Sequence, residues 1–124
     1  MIGGLYGKVP ALDAVEAMAQ AERGPATLRF NGDFNAFNVD DLSFAEVNRR
    51  VLRHHAFLGN VEAEFGNEAD DAGCGCACPE SVSSDIVERS NRIHAQLKAT
   101  AARNPDLESR VGELPMVARY RVGD

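Results

Sequence analysis

Three features of the 124-residue sequence predict an α/β fold in which helices flank a small, mainly parallel sheet. Two short β-prone runs each end in a glycine followed by a polar residue, Gly32-Asp33 and Gly59-Asn60. Stretches with helical apolar spacing lie before and between them. The resulting order of stub, helix, strand, helix, strand is that of parallel β-α-β units with right-handed crossovers.

Each element follows from its residues. Ile2 to Gly7 is an apolar, glycine-rich stub of the kind that leads a first strand into a first helix. Pro10 suits a first helical turn, and Leu12, Val15 and Met18 with Ala19 recur at helical spacing until Gly24-Pro25 stops them, so a helix is expected over 10–23. Residues 26–31 read as a strand, and 35–41 as a polar loop. Ser43 with Glu46 forms a capping box, and Leu42 and Val47 stand where a hydrophobic staple would pack. Phe44, Val47 and Val51 then give a buried stripe to a helix over 43–53.

Ala56-Phe57-Leu58 reads as a second short strand. Residues 62–80 are acidic, glycine-broken and cysteine-bearing, which predicts an exposed loop insertion longer than most connections. A long helix is expected over 82–102, with Val82, Ile86, Ile93 and Leu97 on one face. Asn104 and Pro105 start a further helix as N-cap and first residue, with Leu107, Val111 and Leu114 as its apolar face. Residues 116–122 alternate as a half-buried strand does, with Ala118, Tyr120 and Val122 facing one way.

The length fits one domain spanning 1–124. A formal charge of −6 argues against wrapping nucleic acid or sitting on an anionic membrane, and favours small-molecule or protein partners. No run approaches the ~18–20 apolar residues of a membrane span, and the N-terminus lacks the order of a signal peptide, so a cytoplasmic location is expected. Three cysteines within five residues do not resemble an extracellular disulfide framework.

Asp33 is the first candidate for chemistry. An acid just past a strand's carboxyl end lies where open α/β sheets bind their ligands. The same residue after Gly32 also suits a plain turn, and Asn60 after Gly59 stands in the same balance. Cys74, Cys76 and Cys78 could bind a soft metal or exchange thiols, or be small residues packed in a loop. His54 and His55 are read as a cationic helix end, His94 as a helix-surface residue, and the acidic loop as a solvated surface.

Four landmarks line up along the chain: Gly3-Gly4-Leu5-Tyr6-Gly7-Lys8 before a helix, Gly32-Asp33, Gly59-Asn60-Val61-Glu62, and Leu114-Pro115 before a final strand. Their order resembles the calcineurin-like metallophosphoesterases, in particular the small bacterial phosphodiesterase branch. The resemblance covers residues 1–62 by motif and 114–122 by layout. It implies the N-terminal half of an αββα sandwich, truncated relative to the family. The second sheet would then be barely begun, leaving apolar surface or strand edges exposed and favouring marginal stability or a homo-oligomer.

The resemblance also implies a reaction: metal-dependent phosphoester hydrolysis. Two divalent ions (Mn, Fe or Zn) about 3.5–4 Å apart hold the phosphate oxygens and lower the pKa of a bridging water. By resemblance, Asp33 bridges the metals, and Asn60 binds one of them with its amide near the phosphate. Tyr6 stands where the family has a ligating histidine, and Gly4 where it has a ligating aspartate. Val61 replaces the histidine that serves the leaving oxygen, and Glu62 keeps a carboxylate where the family has one. With so few ligands left, the resemblance implies an impaired or inactive enzyme. The alternatives are a non-catalytic relative that binds a phosphate-bearing ligand or a protein, and a thiol or metal sensor on the cysteines.

Overall fold

The computed structural model describes residues 1–66 and 81–121. They form a mixed α/β arrangement in the order α1 (Val9–Ala21), β1 (Arg29–Phe30), α2 (Asp41–Val51), β2 (His55–Ala56), α3 (Asn60–Ala63), α4 (Ser84–Ala102) and α5 (Pro105–Gly112). β1 and β2 pair in parallel, with Arg29 opposite His55 and Phe30 opposite Ala56. The ladder runs one bond further, from Phe57 N–H to the Phe30 carbonyl at 2.9 Å. On the other side of β1 the N-terminal stub adds a single parallel bridge, Ile2 to Phe30. None of the helices among the described residues is long and apolar enough to cross a membrane.

Two apolar clusters share α2. Val47 and Val51 pack with Leu5, Leu12, Phe30, Phe34, Ala56 and Val111. Phe44 and Ala45 pack with Ala36, Val61, Leu97, Ala101 and Leu107. The stripe expected on α2 is therefore buried along its length, and it joins the strand pair to α4 and α5. Arg50, on the same helix, reaches Asp13 at 2.8 Å and Glu16 at 2.7 Å on α1. The Arg50 guanidinium holds the Glu16 carboxyl below the usual glutamate range, against the opposing effect of burial.

The structure moves several boundaries. The strand expected over 26–31 keeps only Arg29 and Phe30, and that over 56–58 becomes His55–Ala56, because the sheet is only as long as its partners. α2 begins at Asp41, two residues before Ser43. Asp40 is the cap: its Oδ1 accepts the Ser43 N–H at 2.8 Å, so Ser43 is the donor that is capped. Leu42 is 82% exposed, so no staple forms with Val47.

Met18 and Ile86, placed on apolar faces by their spacing, are exposed. The acidic loop expected from residue 62 opens as the helical turn of α3, with Glu62 buried; residues 67–80, Cys74, Cys76 and Cys78 among them, lie outside the described residues.

The strand expected over 116–122 is absent through residue 121. Just before it, the Pro115 carbonyl accepts the Leu58 N–H at 3.0 Å, two residues past the end of β2. A two-residue β2 offers no ladder to continue. Tyr120 is instead held by side chains: Arg29 stacks 3.5 Å above its ring, and His55 and Phe57 meet it edge-on.

Candidate functional site

The site is built where the two glycine turns cross. Gly32 has φ +72°, and a Cβ there would stand 2.6 Å from the Gly59 Cα. A Cβ on Gly59 would run into the backbone nitrogen and Oδ1 of Asp33 and lie 2.8 Å from Glu62 Oε2. Only glycine at both positions lets the backbones approach this closely. The consequence is that Asp33 and Asn60, 27 residues apart in sequence, become neighbours.

Their contacts interlock. Asp33 Oδ1 accepts the Val61 N–H at 3.1 Å. With its amide nitrogen turned toward Asp33, Asn60 donates to both carboxylate oxygens at 3.1 Å; the opposite orientation would set its oxygen against acceptors only. Glu62 answers from α3: Oε2 accepts the Asp33 N–H at 2.8 Å and Oε1 the Asn35 N–H at 2.9 Å. Glu62 is 1% exposed, and burial pushes its carboxyl above the usual range against those two N–H bonds, with the Asp33 charge adding to the rise.

The loop after Asp33 is pinned from behind by buried asparagines. Asn35 and Asn48 exchange amide hydrogen bonds at 2.9 and 2.8 Å, and Asn48 also donates to the Phe44 carbonyl at 2.7 Å. Sequence reasoning placed Asn35 in a polar loop and passed over Asn48. The available signal was Asn48 itself, a polar residue within the Phe44, Val47, Val51 stripe of α2. A buried amide at such a position requires a specific partner.

A pocket of about 180 Å³ opens beside this pair. Asp33 and Asn60 contribute its polar edge; Tyr6, Ala36, Phe37 and Val61 line it from the loops and α3; Ser90, Ile93, His94 and Leu97 line it from α4. The Tyr6 and Phe37 rings, 50% and 59% exposed, stand 6.2 Å apart. Among the described residues, those with positive φ that are not glycine are Tyr6 (52°), Asp33 (53°) and Phe37 (64°), and all three line this pocket. Backbone strain of this kind costs roughly 1–3 kcal/mol per residue and gathers at functional sites.

The sequence-predicted residues divide accordingly. Asp33, Asn60 and Tyr6 meet in the pocket. Glu62 does not line it: both of its oxygens hold the Asp33 loop, and its burial corrects its reading as part of a solvated surface. His94 is also corrected. It is 4% exposed, and its Nε2 is buried without a hydrogen-bond partner among the described residues. Burial, and then the Lys98 charge, hold its imidazole below the usual histidine range, with Glu64 opposing. The helix-end role expected of His54 and His55 belongs to Arg49 and Arg50 in the last turn of α2. His54 lies 3.5 Å from Glu16, and His55 is in β2.

The donors present do not fit a two-metal centre. Gly4 offers no side chain, and a Cβ there would stand 2.7 Å from the Tyr6 ring, which covers that space. Both Glu62 oxygens are engaged with backbone N–H groups. Among the described residues no group of three His, Cys, Asp or Glu side chains is placed to hold a metal ion. Among the described residues no Lys or Arg lines the pocket either, so a bare anion would face the Asp33 carboxylate unneutralised. No family model, curated protein or solved structure matches this chain.

Proposed function

We propose that this chain carries a metallophosphoesterase-like site that binds a phosphoester without hydrolysing it. The observation that supports this most is the crossing of Gly32 and Gly59, which sets Asp33 beside Asn60 just past the carboxyl ends of two parallel strands. That is the placement the resemblance implies for these residues, and it is also where open α/β sheets bind ligands. On this reading the chain corresponds to the N-terminal half of an αββα sandwich.

Hydrolysis needs more than this site contains. Val61 cannot donate a proton to a leaving oxygen, and two protein donors, Asp33 and Asn60, fall short of the three that catalytic metal sites usually offer. The ligand suited to the pocket is a phosphoester arriving as its divalent-cation complex. The cation offsets the charge of Asp33, and the organic group lies against Tyr6, Phe37 and Ile93.

Two assays test the proposal. Incubation of bis(p-nitrophenyl) phosphate with the protein and added manganese is expected to give no turnover above the blank. Robust turnover that Asp33→Ala abolishes would overturn the non-catalytic reading. Phenyl phosphate with magnesium chloride is expected to raise Tm, and Asp33→Ala to remove the rise. If neither additive moves Tm, the pocket is not a phosphoester site.

A further inference from the structure

One wall of the pocket comes from a helix that the strand-end landmarks do not include. Ser90, Ile93, His94 and Leu97 of α4 line it at spacings of three, four and seven residues from Ser90, one continuous helical face. Ile93 and Leu97 on that face are apolar, and Leu97 is fully buried among Phe44, Val61 and Ala101. His94 sits between them. Its ring is buried, yet its Nε2 finds no hydrogen-bond partner among the described residues. Buried polar atoms in folded proteins are almost always paired, and an apolar side chain would suit this position better in the free protein. His94 lines the same cavity as Asp33, Asn60 and the three strained residues.

We infer that His94 is a recognition residue of this pocket, its imidazole Nε2 making a hydrogen bond to an oxygen of the bound phosphoester. This role rests on the reading of the pocket as a phosphoester site. It adds a contact from α4 to the Asp33–Asn60 edge, so that ligand binding joins α4 to the strand pair. His94 is a binding group here, with no bond made or broken.

The free protein and its complex should respond in opposite senses to His94→Leu. Leucine removes the unpaired nitrogen from an apolar face, so the Tm of the free protein is unchanged or higher. The same change removes the ligand contact, so affinity for phenyl phosphate in magnesium chloride falls at least about tenfold, the loss of one hydrogen bond. A His94→Gln variant, which keeps a polar end group, is expected to recover part of that affinity. In the ¹⁵N-labelled wild type, the His94 Nε2 resonance is expected to move on titration with phenyl phosphate and magnesium chloride.

Two results overturn the role of His94 alone: full affinity in His94→Leu, or an unmoved Nε2 resonance at saturating ligand while Asp33→Ala still abolishes binding. Absence of binding by the wild-type protein overturns this role together with the phosphoester reading.

Discussion

Gly59→Ala is expected to lower the unfolding free energy by about 3 kcal/mol, among the largest losses for a single methyl group. The added Cβ would collide with Asp33 N and Oδ1 and press on Glu62 Oε2, two of them atoms of the turn that must stay close. Neither side can yield cheaply. Asp33 is tied through its N–H to Glu62 and through Oδ1 to Val61, and Gly32 passes directly beneath. Gly112→Ala is the control. A Cβ there meets nothing within 4 Å, so the change should be neutral or stabilising by about 0.5–1 kcal/mol through the unfolded chain. Urea unfolding of the two variants measures the contrast. A Gly59→Ala loss below about 1 kcal/mol would mean that the two turns do not approach as described.

Glu62→Leu is expected to cost about 3 kcal/mol, because the Asp33 and Asn35 N–H groups both lose their acceptor in a place where water does not replace it. The wild-type carboxyl also gives stability a pH dependence. Its folded pKa is raised, chiefly by burial, so the folded state holds the proton more tightly than the unfolded chain does. The contribution is fully present below the ordinary glutamate value of 4.5, and it is lost as pH rises from there through the raised folded value. Glu62→Leu should remove this slope. Denaturant unfolding of both proteins from pH 4 to pH 8 checks the sign; a wild-type contribution that grows with pH over this window would contradict it. Because Glu62 holds the backbone of Asp33, phosphoester binding is expected to weaken in the variant without any pocket residue having changed.

Glu62 also shows where sequence reading stops. The resemblance placed a carboxylate at this position but not its direction, since sequence order reports which residues follow a strand and not which way they turn. In α3 the side chain turns back toward the Asp33 loop, and two N–H donors fix it there. His94 failed for a related reason. The spacing of Ile93 and Leu97 defines an apolar face, and a histidine beside that face can be half-exposed or covered. Here His94 is buried, 4% exposed, on the face of α4 that meets the pocket.

Local signals fared better when the interaction involved lay within one turn. Asn104-Pro105 opened α5 as expected, and Gly24-Pro25 followed the end of α1. Asp40 displaced Ser43 as the cap of α2 because two good caps stood three residues apart, and the chain used the first. The 116–122 alternation described side chains able to form a strand, but a strand also needs a partner edge, and β2 is two residues long.

By itself, the sequence determined α1, α2, α4 and α5, the parallel pairing of two short strands, and the two glycine turns that carry Asp33 and Asn60. Proline, glycine, capping side chains and apolar spacing act over a few residues, so their effects are written locally. The tertiary structure alone decided that those turns cross, that Glu62 supports the site from behind, that Asn35 pairs with Asn48, and that α4 brings a buried histidine to the same pocket. Each of these depends on the distance between backbones far apart in sequence, which only the packing of α2 against the strands and α4 establishes.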